Sequence, residues 1–204
     1  MLGALLGSLV LTSTAQAHGD PASLYLHTRQ VYIPTDVPFP AAKKQRLTRL
    51  LAAANADGLT IRVAIVADSY ELGAVPQLWR RPRVYAGFVG EELKTEAKYR
   101  GRVLVVMPNG FGFHWDGHSP LREYALLEQI PIRRGNAGLI DAAIVAVRRL
   151  AADAGVKVTI PTGVVTPAEQ NRRDRVTIVL AALAALAVLV VLREALRRRG
   201  RKTV

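Results

Sequence analysis

The apolar positions of this chain form two short, nearly continuous runs with helical patterns between them. The runs TIRVAIVA at 60–67 and RVLVVM at Arg102–Met107 are rich in β-branched residues. Such runs are typical of strands that are covered on both faces of a sheet. After the turn sequence PNG, the segment 111–115 is predicted to return as an antiparallel strand.

Helical periodicity surrounds these strands. Apolar residues recur three and four positions apart at 41–55, 84–99 and 137–154, and a Ser-Pro dipeptide favours a further helix at 120–129. Helices that alternate with buried strands predict an α/β fold, a three-layer α/β/α sandwich.

The two flanks of this region carry weaker patterns. Residues 18–40 contain several prolines, so we expect them to be irregular, with at most a short strand at 31–33. The alternating segment VKVTI at 156–160 is a candidate for a last edge strand.

The first 17 residues have the pattern of a secretory signal peptide. An apolar stretch too short to span a bilayer is followed by small polar residues and by the sequence Ala15-Gln16-Ala17. This is an A-x-A cleavage site, which predicts cleavage after Ala17. No lysine or arginine precedes the apolar stretch, so an uncleaved anchor is the alternative.

Near the C-terminus, the run 176–192 contains 17 residues without a charge and lies between Arg175 and Arg193. It predicts a single transmembrane helix, which a linker at 161–175 joins to the domain at 18–160. The tail at 193–204 is more basic than the preceding flank, which predicts a cytoplasmic C-terminus and an extracytoplasmic domain. We therefore expect a single-pass protein of the cell membrane, with the lipid bilayer as one partner.

The net charge of +12 does not indicate nucleic-acid binding. Nine of the 28 basic residues, but only two of the 16 acidic ones, lie at 171–204 and bracket the predicted membrane helix. The chain has no cysteine, which excludes disulfides, thiolate metal sites and cysteine nucleophiles.

The order of elements resembles the TPM domain family, exported bacterial α/β/α domains that are often tethered by one transmembrane helix. The resemblance is carried by the segments LTRLLAAANADG, LTIRVAIVADS, YAGFVGEEL, YRGRVLVVMPNGFGFHW and GNAGLIDAAIVAVRRL. It implies the fold and the membrane topology. The acidic stretch that usually precedes the first helix of the family is replaced by YIPTDVPFP, with Asp36 alone. The family's acidic metal or phosphatase residues therefore have no clear counterparts, and no active site is carried across.

Histidines provide two candidate metal sites. His114, Asp116 and His118 have the spacing of one strand face and would suit Zn²⁺ or Cu²⁺, whereas the Asp116-Gly117 sequence favours an exposed turn. His18 would be the N-terminal residue after cleavage and would offer two copper ligands. His27 lies in the segment expected to be irregular.

Carboxylates form a third candidate site. Asp68 follows a buried strand at the end where α/β sheets bind ligands, and Glu71 lies close to it in sequence. Together with Glu91, Glu92 and Glu96 they would suit Ca²⁺ or Mg²⁺. On α-helical spacing, however, these last three residues are interspersed with lysines, which is typical of an ordinary solvated helix face.

No phosphate-binding loop, nucleophile elbow, dinucleotide fingerprint or zinc-protease motif occurs in the chain. The sequence therefore identifies no catalytic residue and no cofactor, and it leaves enzyme activity undecided. It favours a non-enzymatic module that binds a partner protein or another component of the cell envelope. The alternatives are a divalent-metal-dependent, phosphatase-like hydrolase and a copper or zinc handling protein.

Overall fold

A computed structural model describes residues 19–158, which form a mixed α/β domain with one four-stranded sheet. The α/β class predicted from the sequence is confirmed. The elements in chain order are α1 (Pro21–Leu26), β1 (Val31–Tyr32), α2 (Ala41–Ala56), β2 (Ile61–Ile65), α3 (Pro82–Ala97), β3 (Arg102–Met107), β4 (Gly110–Trp115), α4 (Leu121–Leu127) and α5 (Asn136–Asp153).

The strands lie in the order β1-β2-β3-β4. The first three are parallel, with Val63 opposite Val31 and Leu104, and β4 pairs antiparallel with β3 through a tight turn. β1, β2 and β3 therefore all end at the same edge of the sheet, which we call the carboxyl edge. The two apolar runs are therefore strands, as predicted, and they lie side by side in the sheet as β2 and β3.

Helices cover both faces of the sheet because side chains alternate along the strands. On β3, Leu104 and Val106 face the helices α2 and α5, while Val103, Val105 and Met107 face α1 and α3. All five side chains are buried, as the continuous apolar run predicts.

The predicted helices at 41–55, 84–99, 120–129 and 137–154 are present, with ends shifted by one or two residues in most cases. The four side chains that form the apolar stripe of α2 are fully buried: Leu47, Leu50, Leu51 and Ala54. The spacing of apolar residues was sufficient to predict these helices, because their apolar stripes match the faces that pack on the sheet.

The expectation of an irregular segment at 18–40 is wrong for Pro21–Leu26, which forms α1. Asp20 caps this helix by accepting a hydrogen bond from the Ser23 backbone N–H, and Pro21 occupies the first turn. An Asp-Pro start is a recognised helix signal, because proline lacks only an N–H that the first turn leaves unpaired.

The predicted edge strand at 156–160 is not formed in its described part. Val156 and Val158 instead pack as partly buried side chains against the core beneath α2 and α5. The last two residues of that segment, the signal peptide at 1–17, the linker, the membrane helix at 176–192 and the tail lie outside the described residues. No helix within residues 19–158 has the length and apolar character of a bilayer span.

Candidate functional site

The chain leaves the carboxyl edge of the sheet in two directions. The segment after β1 leads to α2 on one face, and the segment after β2 leads to α3 on the opposite face. When neighbouring strands diverge in this way, a crevice opens at their carboxyl ends, and α/β proteins commonly bind ligands there. A ligand-binding site is therefore expected at the carboxyl edge.

Asp68 and Glu71 lie together at this edge, directly after β2. An Asp68 carboxylate oxygen accepts a hydrogen bond of 2.8 Å from the Tyr70 N–H, and Glu71 Oε2 accepts one of 2.6 Å from the Ala67 N–H. Glu71 is only 8% exposed, and its Oε1 is buried without a hydrogen-bond partner in the described residues. Burial raises the pKa of Glu71 to about 7, although the Ala67 N–H acts in the opposite direction.

A second buried carboxylate, Asp20, is fully used in structural contacts. Asp20 Oδ1 accepts a hydrogen bond of 2.5 Å from the Tyr85 hydroxyl, and Oδ2 accepts two of 2.8 Å from the N–H and hydroxyl of Ser23. Burial raises the pKa of Asp20, and these hydrogen bonds partly offset that effect. Asp20 therefore ties α1 to α3 and leaves no oxygen turned to a ligand.

The rest of the predicted carboxylate set lies elsewhere. Glu91, Glu92 and Glu96 belong to the second half of α3, which runs away from the carboxyl edge towards the start of β3. Glu91 is 3.5 Å from the Lys94 ammonium, an ordinary i,i+3 pair. Asp68 and Glu71 thus lie together in the structure, and the three α3 glutamates lie away from them. Within residues 19–158, no group of three or more histidine or acidic side chains is arranged to hold a metal ion.

The predicted histidine site is dispersed in the structure. The His118 ring stacks on Trp115 at 3.5 Å, beyond the turn that Asp116 and Gly117 form as predicted. Asp116 is bound by the cations of Lys94 and Arg100 at 2.7 and 2.9 Å.

His114, the other histidine of the predicted site, and His27 have different surroundings. His114 packs on Gly90 of α3, where a Cβ would lie 2.1 Å from the ring. His27 follows the last residue of α1, and its Nε2 is buried without a hydrogen-bond partner in the described residues. His18 lies outside the described residues.

A cavity of about 790 Å³ lies at the carboxyl edge beside β3. Arg80, Arg81 and Arg83 contribute its positive charge, and the turn residue Asn109 adds an amide. We call it the arginine cavity. Its apolar lining comes from the start of α3, the β3–β4 turn, α4 and the segment after α4: Pro82, Val84, Pro108, Phe111, Leu127, Ile130 and Ile132.

Backbone geometry holds the arginines at the cavity. Arg80 has a left-handed conformation, with φ of 59°, and its carbonyl accepts a hydrogen bond of 2.7 Å from the Asn109 side-chain amide. Gly112 lets the start of α3 approach β4 closely, because a Cβ there would lie 1.8 Å from the Pro82 carbonyl oxygen. The β3–β4 hairpin thus contacts both the loop that carries Arg80, through Asn109, and the first turn of α3, through Gly112.

The three arginines differ in their partners. Arg83 pairs with Glu128 at 2.5 Å and lies over the Tyr124 ring at 4.2 Å. Within residues 19–158, neither Arg80 nor Arg81 forms an ion pair, and both are exposed. Two guanidinium groups are therefore available to an anion at the mouth of an apolar cavity.

A smaller cavity of about 240 Å³ lies beside the arginine cavity and shares Pro108 and Ile132 with it. Arg133, Arg134, Gly135 and Asn136, where α5 begins, provide its polar lining. We call it the α5 cavity. No sequence pattern marks either cavity, because their arginines lie in segments without periodicity and meet only through the tertiary fold.

Comparison with protein-family models, characterised proteins and solved structures finds no match to this chain.

Proposed function

We propose that this chain is a membrane-anchored, extracytoplasmic binding module with a TPM-like, three-layer α/β/α domain. The signal-peptide pattern at 1–17, the apolar run at 176–192 and the basic tail after it support the anchoring and the orientation. The ligand is a small anionic component of the cell envelope that also has an apolar part. The module holds it in the arginine cavity.

One observation carries this proposal: Arg80 and Arg81 have no ion-pair partner among residues 19–158, and they lie beside an apolar cavity of about 790 Å³. This volume lies in the range of sites that bind small molecules, which are mostly apolar with a few polar groups that fix the ligand's orientation. An anionic head would contact the guanidinium groups, and an apolar tail would replace water along the exposed Val84 and Pro108 and the partly buried Ile132.

The lining of the cavity favours binding rather than catalysis. Among residues 19–158, no serine, threonine, cysteine, histidine or lysine side chain lines it. The Tyr124 hydroxyl at the cavity exchanges two hydrogen bonds of 3.0 Å with the Phe113 backbone. A nucleophile next to a base, which hydrolysis without a metal requires, is therefore missing from the lining.

The proposal is tested with the full chain in neutral lipid nanodiscs and octanoate as a probe with one anionic head and an apolar tail. The double variant Arg80→Asn and Arg81→Gln should weaken octanoate binding by at least about tenfold in calorimetry. Asparagine suits the left-handed backbone at position 80. Undetectable octanoate binding to the unmodified chain, or equal binding by the variant, would refute the arginine cavity as the site.

A matched control removes the same charge at the opposite edge of the sheet. Arg29 and Lys98 are exposed and precede β1 and β3, and neither lines the cavity. The double variant Arg29→Gln and Lys98→Gln should bind octanoate as the unmodified chain does. A loss in this control would mean that net charge, rather than the cavity, attracts the probe.

The anchoring is tested separately with reporter fusions. A reporter that works only in the cytoplasm should be active after Val204 and inactive after Gln170, and the mature chain should begin at His18. The reverse reporter pattern would refute the proposed orientation, and an intact Met1 would mean that the leader remains as an anchor.

A further inference from the structure

The two cavities at the carboxyl edge form one continuous surface. Pro108, at the end of β3, and Ile132, between α4 and α5, line both of them. Pro108 is exposed and Ile132 is partly buried. A ligand that leaves the arginine cavity in this direction therefore crosses an apolar ridge before it reaches the α5 cavity.

Positive charge lies on both sides of this ridge. Arg80 and Arg81 line one cavity, and Arg133 and Arg134 line the other. All four are exposed, and no carboxylate within residues 19–158 pairs with any of them. These four guanidinium groups, which have no carboxylate partner within those residues, repel one another unless anions neutralise them.

The carboxylate that lines the cavities already has a cation partner. In the described part of the chain, Glu128 is the one acidic residue that lines them, and Arg83 binds it. Asp68 and Glu71 lie at the same edge but line neither cavity. The α5 cavity also contains the first turn of an 18-residue helix without a side-chain cap, which adds partial positive charge to that of the arginines.

We propose that the ligand carries two anionic groups, carboxylates or phosphates, joined by an apolar spacer. One group binds Arg80 and Arg81, the spacer crosses Pro108 and Ile132, and the second group binds Arg133 and Arg134. This inference rests on the proposed function and specifies its ligand, because a single anion would use only one of the two arginine pairs.

The test compares aliphatic α,ω-dicarboxylates of increasing chain length with monocarboxylates of the same length, using the full chain in neutral nanodiscs. The best dicarboxylate should bind at least about tenfold more tightly than its monocarboxylate, since the second contact becomes intramolecular. Alkyl bisphosphonates and monophosphonates form a second arm. A larger advantage in that arm would identify phosphate rather than carboxylate as the natural group.

Two double variants assign the ends of the ligand. Arg133→Gln with Arg134→Gln should remove the advantage of the dicarboxylate and leave monocarboxylate affinity unchanged within about twofold. Arg80→Asn with Arg81→Gln should weaken both ligands. The variant Arg29→Gln with Lys98→Gln should change neither, and equal melting temperatures of all variants would show that they are folded.

The outcomes separate the two proposals. If monocarboxylates bind through Arg80 and Arg81 but dicarboxylates bind no more tightly, the bis-anion inference is wrong and the proposed function stands. The inference is also wrong if the dicarboxylate advantage survives the loss of Arg133 and Arg134. If no probe binds, the proposed function fails together with the inference.

Discussion

The Tyr85 hydroxyl donates a hydrogen bond of 2.5 Å to Asp20 Oδ1 and thereby joins the N-terminal cap of α1 to the first turns of α3. Both side chains are buried. A buried carboxylate that loses a hydrogen-bond donor retains the cost of its desolvation, so this contact supports the whole face of the sheet that α1 and α3 cover.

Removal of this hydroxyl should therefore destabilise the domain. We expect Tyr85→Phe to lower the free energy of unfolding by about 1–3 kcal/mol, because Asp20 would remain buried with only the Ser23 contacts. Chemical denaturation followed by tryptophan fluorescence would measure the loss. Tyr70→Phe is the matched control, since Tyr70 is 92% exposed and its substitution should have little effect. Equal losses in both variants would show that the Asp20 contact contributes nothing specific.

Glu71 should make the stability of the domain depend on pH. Burial raises its pKa in the folded state to about 7, from an ordinary value of 4.5. Between these values the folded state retains a proton that the unfolded state has released, so stability is highest at acidic pH and falls as the pH rises towards 7. The fall ends about one pH unit above the folded pKa, where Glu71 is ionised in both states, and the contribution is constant from there. Its full size is up to about 3 kcal/mol.

The variant Glu71→Gln isolates this effect because it keeps the size of the side chain and removes its titration. The free energy of unfolding of the unmodified protein should fall between pH 5 and pH 8 by about 1–3 kcal/mol more than that of the variant. Asp20, whose pKa burial also raises, contributes in both proteins and cancels in the comparison. Parallel stability curves would mean that Glu71 is ionised at little cost where it lies.

Gly112 should be required for the close approach of α3 to β4. An alanine Cβ would lie 1.8 Å from the Pro82 carbonyl oxygen and 2.8 Å from the Ala86 Cβ, so the start of α3 must move. We expect Gly112→Ala to cost about 1–3 kcal/mol of stability and to weaken ligand binding in the arginine cavity.

Gly87, which lies in the helix α3 that packs against Gly112, provides the control for this substitution. A Cβ at position 87 would meet no atom within 4 Å, so Gly87→Ala should be neutral or stabilise α3 by up to about 1 kcal/mol. Thermal unfolding of the two variants would measure the difference. A Gly112→Ala protein as stable as the Gly87→Ala protein would contradict the packing described for α3 and β4.

The sequence predicted most of the core because its signals are local. The run at Arg102–Met107 gave the bounds of β3, since residues buried on both faces must all be apolar. The helix α1 was missed because the prolines around it outweighed the capping signal of Asp20 and Pro21. That signal is local too, and it was available in the sequence.

The candidate site was much harder to predict. Asp68 was placed correctly at a strand end, but nothing in the sequence marks Glu71 as buried, because its burial comes from the packing of the loop after β2. The arginine cavity depends on the start of α3, the β3–β4 turn and α4, segments far apart in the chain. Arg80 and Arg81 lie in the segment 68–83, which has neither helical nor strand periodicity.

The remaining prediction concerns hydrolysis, and Asp68 tests it. Metal-assisted hydrolysis requires two or three ligands held rigidly around an ion. Asp68 accepts a hydrogen bond from the Tyr70 N–H, and Glu71 has one oxygen bound to the Ala67 N–H and a pKa that leaves it partly protonated at pH 7. We therefore expect no phosphatase or esterase turnover from the full chain with added Mg²⁺, Ca²⁺ or Zn²⁺. Turnover that disappears in Asp68→Ala and persists in the helix-surface variant Glu96→Ala would contradict this and make Asp68 a metal ligand or a base.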